Sequence, residues 1–303
     1  MMSVLRTPSR RLVGVLAALF AVTVWAGWLP ITRLGVLSAL APADVGALRY
    51  GTSGLLLLPV LLARWREVPW QRPIPIIIAC AGAGMPYFFV FAVGLRLAKS
   101  GQGAVLGPGS VSAFATLILW ALFRERPDRY QLLGLAVTLC GSFGILFHDV
   151  VSGGAHLEGF ALIVLGSLCW ASFTVASRFT GMRPLVNAAV VSVVNASLFV
   201  PLYLMFGGFS HLAAAPWHTL LLQAGYQGAL TGVVALVSFS YAIDRIGPAA
   251  AARFMPLVPV LAAIIGWRLL GDTIDAATAI GLCAVAGGVL IATRVFGLWP
   301  STR

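Results

Sequence analysis

The chain repeats itself once. Trp25-Ala26 followed by Thr32-Arg33 returns as Trp170-Ala171 followed by Ser177-Arg178, at an offset of 145 residues. A second echo, at 147 residues, matches Trp120, Glu125, Asp128, Gly134 and Gly141 with Trp267, Asp272, Asp275, Gly281 and Gly288. Both offsets are close to half of the 303 residues. A fold that obeys the echo is built from two like units, a plan that recurs among membrane transporters.

Charge decides the solvent. Only 10% of the residues are charged and 60% are hydrophobic, with a mean hydropathy of +0.96. A soluble domain carries roughly 25% charged residues, so this chain lacks the polar surface to face water all round. An all-α membrane protein is the fold class that follows. A spanning helix needs roughly 20 apolar residues, and ten such spans are read at 12–30, 43–63, 74–95, 101–123, 130–147, 157–178, 185–206, 217–243, 248–270 and 276–296.

The net charge of +11 would suggest nucleic acid in a soluble protein. Here the arginines sort by side instead. With the N-terminus inside, cytoplasmic pieces hold 14 of the 20 basic residues, whereas the outer pieces hold Arg33, Arg96, Lys99 and Arg268. This bias places both termini in the cytoplasm, makes the lipid bilayer the partner, and leaves no nucleic-acid partner. Arg6, Arg10 and Arg11 ahead of the first apolar run resemble the start of a signal peptide. That run is long, Trp25-Ala-Gly-Trp28 is a poor cleavage site, and the segment is the first copy of the repeat, so it reads as an uncleaved helix.

Five spans per half is an odd number, so the second half enters the membrane inverted. The expected units are 1–147 and 157–303, joined by an external loop at 148–156. Inverted repeats supply two pseudo-equivalent gates around one midplane site.

The arrangement resembles the drug/metabolite transporter superfamily, EamA-type branch, over nearly the whole chain. The Trp-Ala pairs of spans 1 and 6 carry the resemblance, as do two longer stretches. Ser100-Gly101 to Pro108 runs on to Leu122-Phe-Arg-Glu125. Gly247-Pro248 to Pro256-Leu-Val-Pro259 runs on to Leu269-Leu-Gly-Asp272. The resemblance implies a basket of helices around a central cavity, with spans 5 and 10 at the periphery. It also implies movement of small metabolites, with the aromatic amino acid exporters as the most similar subgroup. Arg253-Phe254 departs from the small pair more usual in the family, and Asp272 replaces the commoner Glu.

Several residues are candidates for the site. Trp170 and Tyr87 fall near mid-span, with Trp25, Tyr50, Tyr226 and Tyr241 shallower. A buried indole N–H or phenol needs a partner, which a cavity or a neighbouring helix supplies. Trp28, Trp65, Trp70, Trp120, Trp217, Trp267 and Trp299 fall near span ends and read as an interfacial belt. Asn195, Gln223 and Gln227 are costly against lipid and should face inward. Gln223, Tyr226 and Gln227 share one helical face, suited either to recognising ammonium and carboxylate groups or to interhelical hydrogen bonds. Arg253 and Arg49 are intramembrane charges, functional candidates by default. Either contacts a substrate carboxylate or snorkels, and Arg49 has Asp44 about one turn away. Pro86, Pro108, Pro256 and Pro259 remove backbone donors inside spans. With Gly107 they read as hinge or cavity-shaping positions, or as simple kinks. Gly103-x-x-x-Gly107, Gly228-x-x-x-Gly232 and Gly287-Gly288 favour close helix packing.

Four isolated cysteines (Cys80, Cys140, Cys169, Cys283) show no metal-ligand spacing. No nucleophile motif appears, so neither a cofactor, a metal nor an enzyme is expected, and no obligate protein partner is evident. No Asp or Glu lies at mid-span, the usual place for a proton relay, which favours facilitated export or exchange. The expected function is outward movement of amino acids with apolar or aromatic side chains by alternating access. The rivals are a carrier of nucleobases or hydrophobic amphiphiles, an intramembrane enzyme, and a channel. A carrier of cations would need a buried acid, an enzyme clustered catalytic groups, and a channel a continuous polar stripe.

Overall fold

A chain solvated by lipid must pair its backbone groups internally, and helices do so segment by segment. The computed structural model, which describes residues 8–38, 40–151, 157–246, 251 and 254–292, is helical along nearly all of that length. The helices are α1 (Pro8–Leu37), α2 (Pro42–Ala63), α3 (Pro73–Gly82), α4 (Met85–Leu97), α5 (Ser100–Phe123), α6 (Arg129–Val151) and α7 (Leu157–Thr180). They continue as α8 (Pro184–Tyr203), α9 (Phe209–Ala214), α10 (Trp217–Gln223), α11 (Ala235–Ile246), α12 (Leu257–Leu270) and α13 (Ala276–Ala292). Seven stretches are long and apolar enough to cross a membrane, and they coincide with the expected spans 1–3 and 5–8. The fourth expected span is the 24-residue α5. The ninth and tenth correspond to α12 and α13, apolar but shorter, at 14 and 17 residues. Large side chains point outward: Leu55 is 74% exposed, Met205 79% and Phe206 86%. Such faces suit hydrocarbon, not water.

Three spans depart from unbroken helices. The third stops at Gly82 and restarts at Met85. A Cβ on Gly84 would lie 2.0 Å from the Cys80 carbonyl oxygen and 2.2 Å from both amide atoms of Asn195, so only glycine fits there. The seventh ends in a kink at Phe206 and Gly207, where Gly207 takes φ +88°. Part of the expected loop 207–216 is then helical, as α9. The eighth joins α10 to α11 through an 11-residue wide-turn (π) stretch, Ala224–Val234. The α6 helix also runs to Val151, past the expected start of the connecting loop at 148, and 152–156 lie outside the described residues.

The prolines begin helices more than they break them. Pro86 is in the first turn of α4, Pro256 precedes α12, and Pro259 lies in its first turn, all places where a missing N–H costs nothing. Pro108 lies within α5, but its side chain is outside the described set. Gly107 admits the Phe91 ring, whose Cζ stands 2.7 Å from where a Cβ would be.

The packing explains the echo. Helix α1 packs on α11 and α12, while its counterpart α7 packs on α3, α4 and α5. Helices α6 and α13 cross through glycines: a Cβ on Gly134 would meet the Gly288 oxygen at 2.3 Å, and one on Gly141 the Gly281 oxygen at 3.2 Å. Since Gly134 echoes Gly281 and Gly141 echoes Gly288, the contact is antiparallel and reciprocal, as a two-fold pseudo-axis requires. Helices α2 and α8 pack together, with Pro42 and Pro59 matching Pro184 and Pro201 at an offset of 142 residues. Gly54 and Ala196 share that offset and touch, the Ala196 Cβ standing 2.6 Å from a Cβ placed on Gly54.

The remaining echoed residues shape equivalent helix ends. Arg124 (φ 57°) and Gly271 (φ 68°) both end their helices, α5 and α12, in the left-handed conformation. Asp128 accepts the Tyr130 amide at 2.8 Å ahead of α6, and Asp275 the Thr278 amide at 2.7 Å ahead of α13. The latter bond holds the Asp275 carboxyl below the ordinary carboxylate pKa.

Two outcomes follow for unfolding in mixed micelles. Gly134→Val or Gly288→Val meets backbone that cannot yield, so a loss of about 1–3 kcal/mol is expected. Arg124→Gly relieves a left-handed residue and should gain about 1 kcal/mol.

Candidate functional site

The break in the third span is satisfied from two sides. Asn195 on α8 accepts the Met85 amide through Oδ1 at 2.8 Å, and its Nδ2 donates to the carbonyls of Cys80 at 3.0 Å and Val191 at 2.8 Å. The Tyr50 hydroxyl on α2 donates to the Ala83 carbonyl at 2.7 Å. These bonds hold the restarted helix so that Tyr87, Phe88 and Phe91 face α1 and α7.

An aromatic cluster forms there. The Trp28 ring stacks on Tyr87 at 6.1 Å and 17°, and lies 5.2 Å from Phe91 and 6.5 Å from Phe88. Tyr87 also meets Trp170 at 5.0 Å, and Trp170 meets Phe173 at 5.1 Å. The cluster joins α1, α4 and α7, and so both halves of the echo. Trp28, Tyr87, Phe88 and Phe91 are buried, whereas Trp170 is partly open.

Arg49 completes it. Its Cζ lies 5.7 Å from the Trp28 ring centre, 5.6 Å from Tyr50 and 5.7 Å from Phe88, distances at which a cation and an aromatic ring attract. Its Nη1 donates to Gln227 Oε1 at 3.2 Å. Asp44, the partner suggested by spacing, is engaged elsewhere: it accepts the Ala41 amide at 2.7 Å and the Tyr203 hydroxyl at 2.5 Å. Among the described residues no carboxylate forms an ion pair with Arg49.

The polar face of the eighth span is turned to α1. Gln223 and Gln227 are fully buried. Gln223 Nε2 donates to the Ile31 carbonyl at 2.9 Å and Gln227 Nε2 to Thr32 Oγ1 at 2.8 Å, while the Tyr226 hydroxyl donates to the Val24 carbonyl at 2.9 Å. Of the two uses expected for this face, the structure shows interhelical bonding. Trp25 packs on Phe239 at 5.0 Å. Tyr241 stands apart, 37% exposed under the Arg245 guanidinium. Arg253 lies outside the described residues.

Trp28 is the main correction. It sits in the cluster, 9% exposed, and not in the interfacial belt. The first span was read as ending at residue 30, which put Trp28 at the boundary, but α1 runs on to Leu37. Trp120 and Trp267, at 53% and 54% exposed, do face outward as belt residues would.

Two echoed ion pairs tie the halves together, besides a longer Arg183–Glu67 pair at 3.8 Å. Arg33 on α1 pairs with Asp272 beyond α12, and Arg178 on α7 pairs with Glu125 beyond α5 at 2.8 Å. Both arginines and both acids are partners in the echo. The first pair is enclosed, its side chains 15% and 7% exposed. It is braced by the Leu95 carbonyl, which accepts from Arg33 Nε at 3.2 Å, and by the Ser100 amide, which donates to Asp272 at 2.9 Å. The second is open, at 58% and 44%.

Comparison with known proteins agrees with this duplicated plan. The profile of the EamA-like transporter family matches twice, over residues 12–147 and 157–294. An uncharacterised inner membrane transporter of Escherichia coli strain K12, YedA, is 28% identical over 96% of this chain and 94% of its own. A probable terminal-alkyne amino-acid exporter of Streptantibioticus cattleyicolor is 24% identical over 94% of this chain and 95% of its own. The threonine/homoserine exporter RhtA of Salmonella typhimurium is 24% identical over 82% and 81%. With both halves matched, this chain belongs to the EamA-like transporter family and is a multi-pass membrane transporter.

Proposed function

We propose that the chain exports amino acids with apolar or aromatic side chains across the bacterial inner membrane, by alternating access between halves 1–147 and 157–303. Both termini lie in the cytoplasm, and transport is facilitative or by exchange. The observation that carries this reading is the matched pair of inter-half ion pairs, one enclosed and one open. Equivalent contacts in unequal states are what a carrier stopped at one end of its cycle presents. The Arg33–Asp272 end, outward by the charge bias, is shut. The Arg178–Glu125 end is only loosely held, because an exposed pair contributes little.

Trp170 and Tyr87 wall the cargo's apolar side chain, with Tyr50 and Gln227 beside them. Asn195, Gln223, Tyr226 and Trp25 hold the surrounding helices, and the break at 83–84 and the wide-turn stretch at 224–234 give room to move. Tyr241 belongs to the inner approach, Pro86, Pro256, Pro259 and Gly107 shape the helix starts and the cavity wall, and Arg253 and Pro108 are assigned from the sequence alone, the one to substrate binding and the other to cavity shaping. The amino acid exporters among the relatives support the cargo class.

Counterflow in proteoliposomes tests the reading, using labelled phenylalanine, leucine, threonine and adenine with and without a pH gradient. Saturable exchange of phenylalanine and leucine, indifferent to the gradient, is expected. Exchange of adenine alone, or of nothing, defeats the proposed cargo. The gate has its own test. Breaking a largely buried ion pair costs about 3–5 kcal/mol, so Asp272→Asn should favour the outward-open state. In a cysteine-free background, a Ser100→Cys reporter should then react several-fold faster with an impermeant maleimide added outside. Glu125→Gln should not accelerate it.

A further inference from the structure

We infer that Arg49 and the Trp28 indole N–H form a carboxylate-binding site, and that the cargo is recognised by its acid group while its amino group is dispensable. The inference rests on the carrier reading above. It starts from a charge without a counter-charge. Arg49 sits seven residues inside α2, about 10 Å from the helix start. A guanidinium stays ionised there, and holding it half-buried within a span without a counter-charge is costly. Its hydrogen bond to Gln227 uses one of five donors. The Tyr50 hydroxyl oxygen takes a second, and the rings of Trp28 and Phe88 offer attraction, but none of these groups carries a negative charge.

A second, independent observation points the same way. Trp28 is 9% exposed, and its Nε1 is fully shielded with no hydrogen-bond partner among the described residues. A buried donor left unsatisfied is uncommon in folded proteins. Thus a cation lacking a counter-charge and a donor lacking an acceptor belong to side chains in direct contact, and both would be satisfied by one planar carboxylate, the group a guanidinium fork matches best. The neighbouring groups sharpen the choice. The Tyr50 hydroxyl is spent on Ala83, the nearby amides on Met85, Cys80, Ile31 and Thr32. The start of α4, carrying Tyr87 and Phe88, adds the positive end of a helix dipole. Every feature favours negative charge. Among the described residues around Arg49 no acid stands ready to receive an ammonium group. The aromatic rings beside Arg49 would then take the apolar remainder of the ligand.

The test uses purified full-length protein in detergent, titrated calorimetrically with 3-phenylpropionate, phenylalanine and phenylalaninamide. The two carboxylates should bind with similar affinity, and the amide about tenfold more weakly or worse, the loss of a charge-assisted hydrogen bond. Arg49→Gln should remove that advantage and leave the amide unchanged, and Arg49→Lys should retain part of it. If Arg49→Gln fails to fold, Trp28→Phe keeps the ring, deletes the donor, and should weaken carboxylate binding several-fold. Equal binding of acid and amide, or acid binding untouched by both Arg49→Gln and Trp28→Phe, overturns the inference. Counterflow that ignores Arg49 would defeat the site and leave the carrier standing. Acid-selective binding without any counterflow would do the reverse.

Discussion

Hydrocarbon offers a backbone nothing to bond to, and the interruption of the third span is where this chain meets that constraint most sharply. Stopping at Gly82 and restarting at Met85 frees carbonyls and an amide that water cannot reach. Asn195 and Tyr50 take them up from opposite sides, which draws α8 and α2 against the interruption. Much else follows from this. The restarted helix aims three aromatic rings at α1 and α7, and Tyr50, fixed by its bond to Ala83, places Arg49 one residue away at the edge of those rings. Asn195 is thus spent on backbone groups of its own helix and of the interruption.

The second organising fact is reciprocity. The same residue types, carried by both halves, meet each other across the middle of the molecule: glycine on glycine between α6 and α13, arginine on acid at each end. The acids reach their arginines because α5 and α12 both end in a left-handed residue that turns the chain back. Arg124 fills that position at one end with a side chain where Gly271 fills it without one. The halves have kept their joints and let the surfaces around them diverge.

How much of this was legible in the sequence depends on what each feature writes there. The duplication is explicit, because joints repeat residue types at fixed spacing, and the family profile matches the chain twice. The interruption is almost silent. Residues 74–95 read as one apolar run, and the helix break is imposed by a glycine and by an asparagine 111 residues away, at 195. Trp28 was misplaced because α1 extends past the expected end of its span. The amides of the eighth span were rightly sent inward, but no spacing rule distinguishes a side chain that greets a ligand from one that bonds a neighbouring helix. The partners of Arg49, drawn from three other elements, have no linear signature.

The pseudo-two-fold axis sorts the contacts between halves into two kinds. Gly54 with Ala196 is carried by the axis onto itself. Arg33–Asp272 and Arg178–Glu125 are carried onto each other. If the two end states of a carrier differ only by an exchange of roles between its halves, a contact of the first kind is identical in both, and one of the second kind cannot be. On the proposed carrier cycle, the Gly54–Ala196 contact therefore marks the stationary line of the molecule, and the ion pairs its two moving ends.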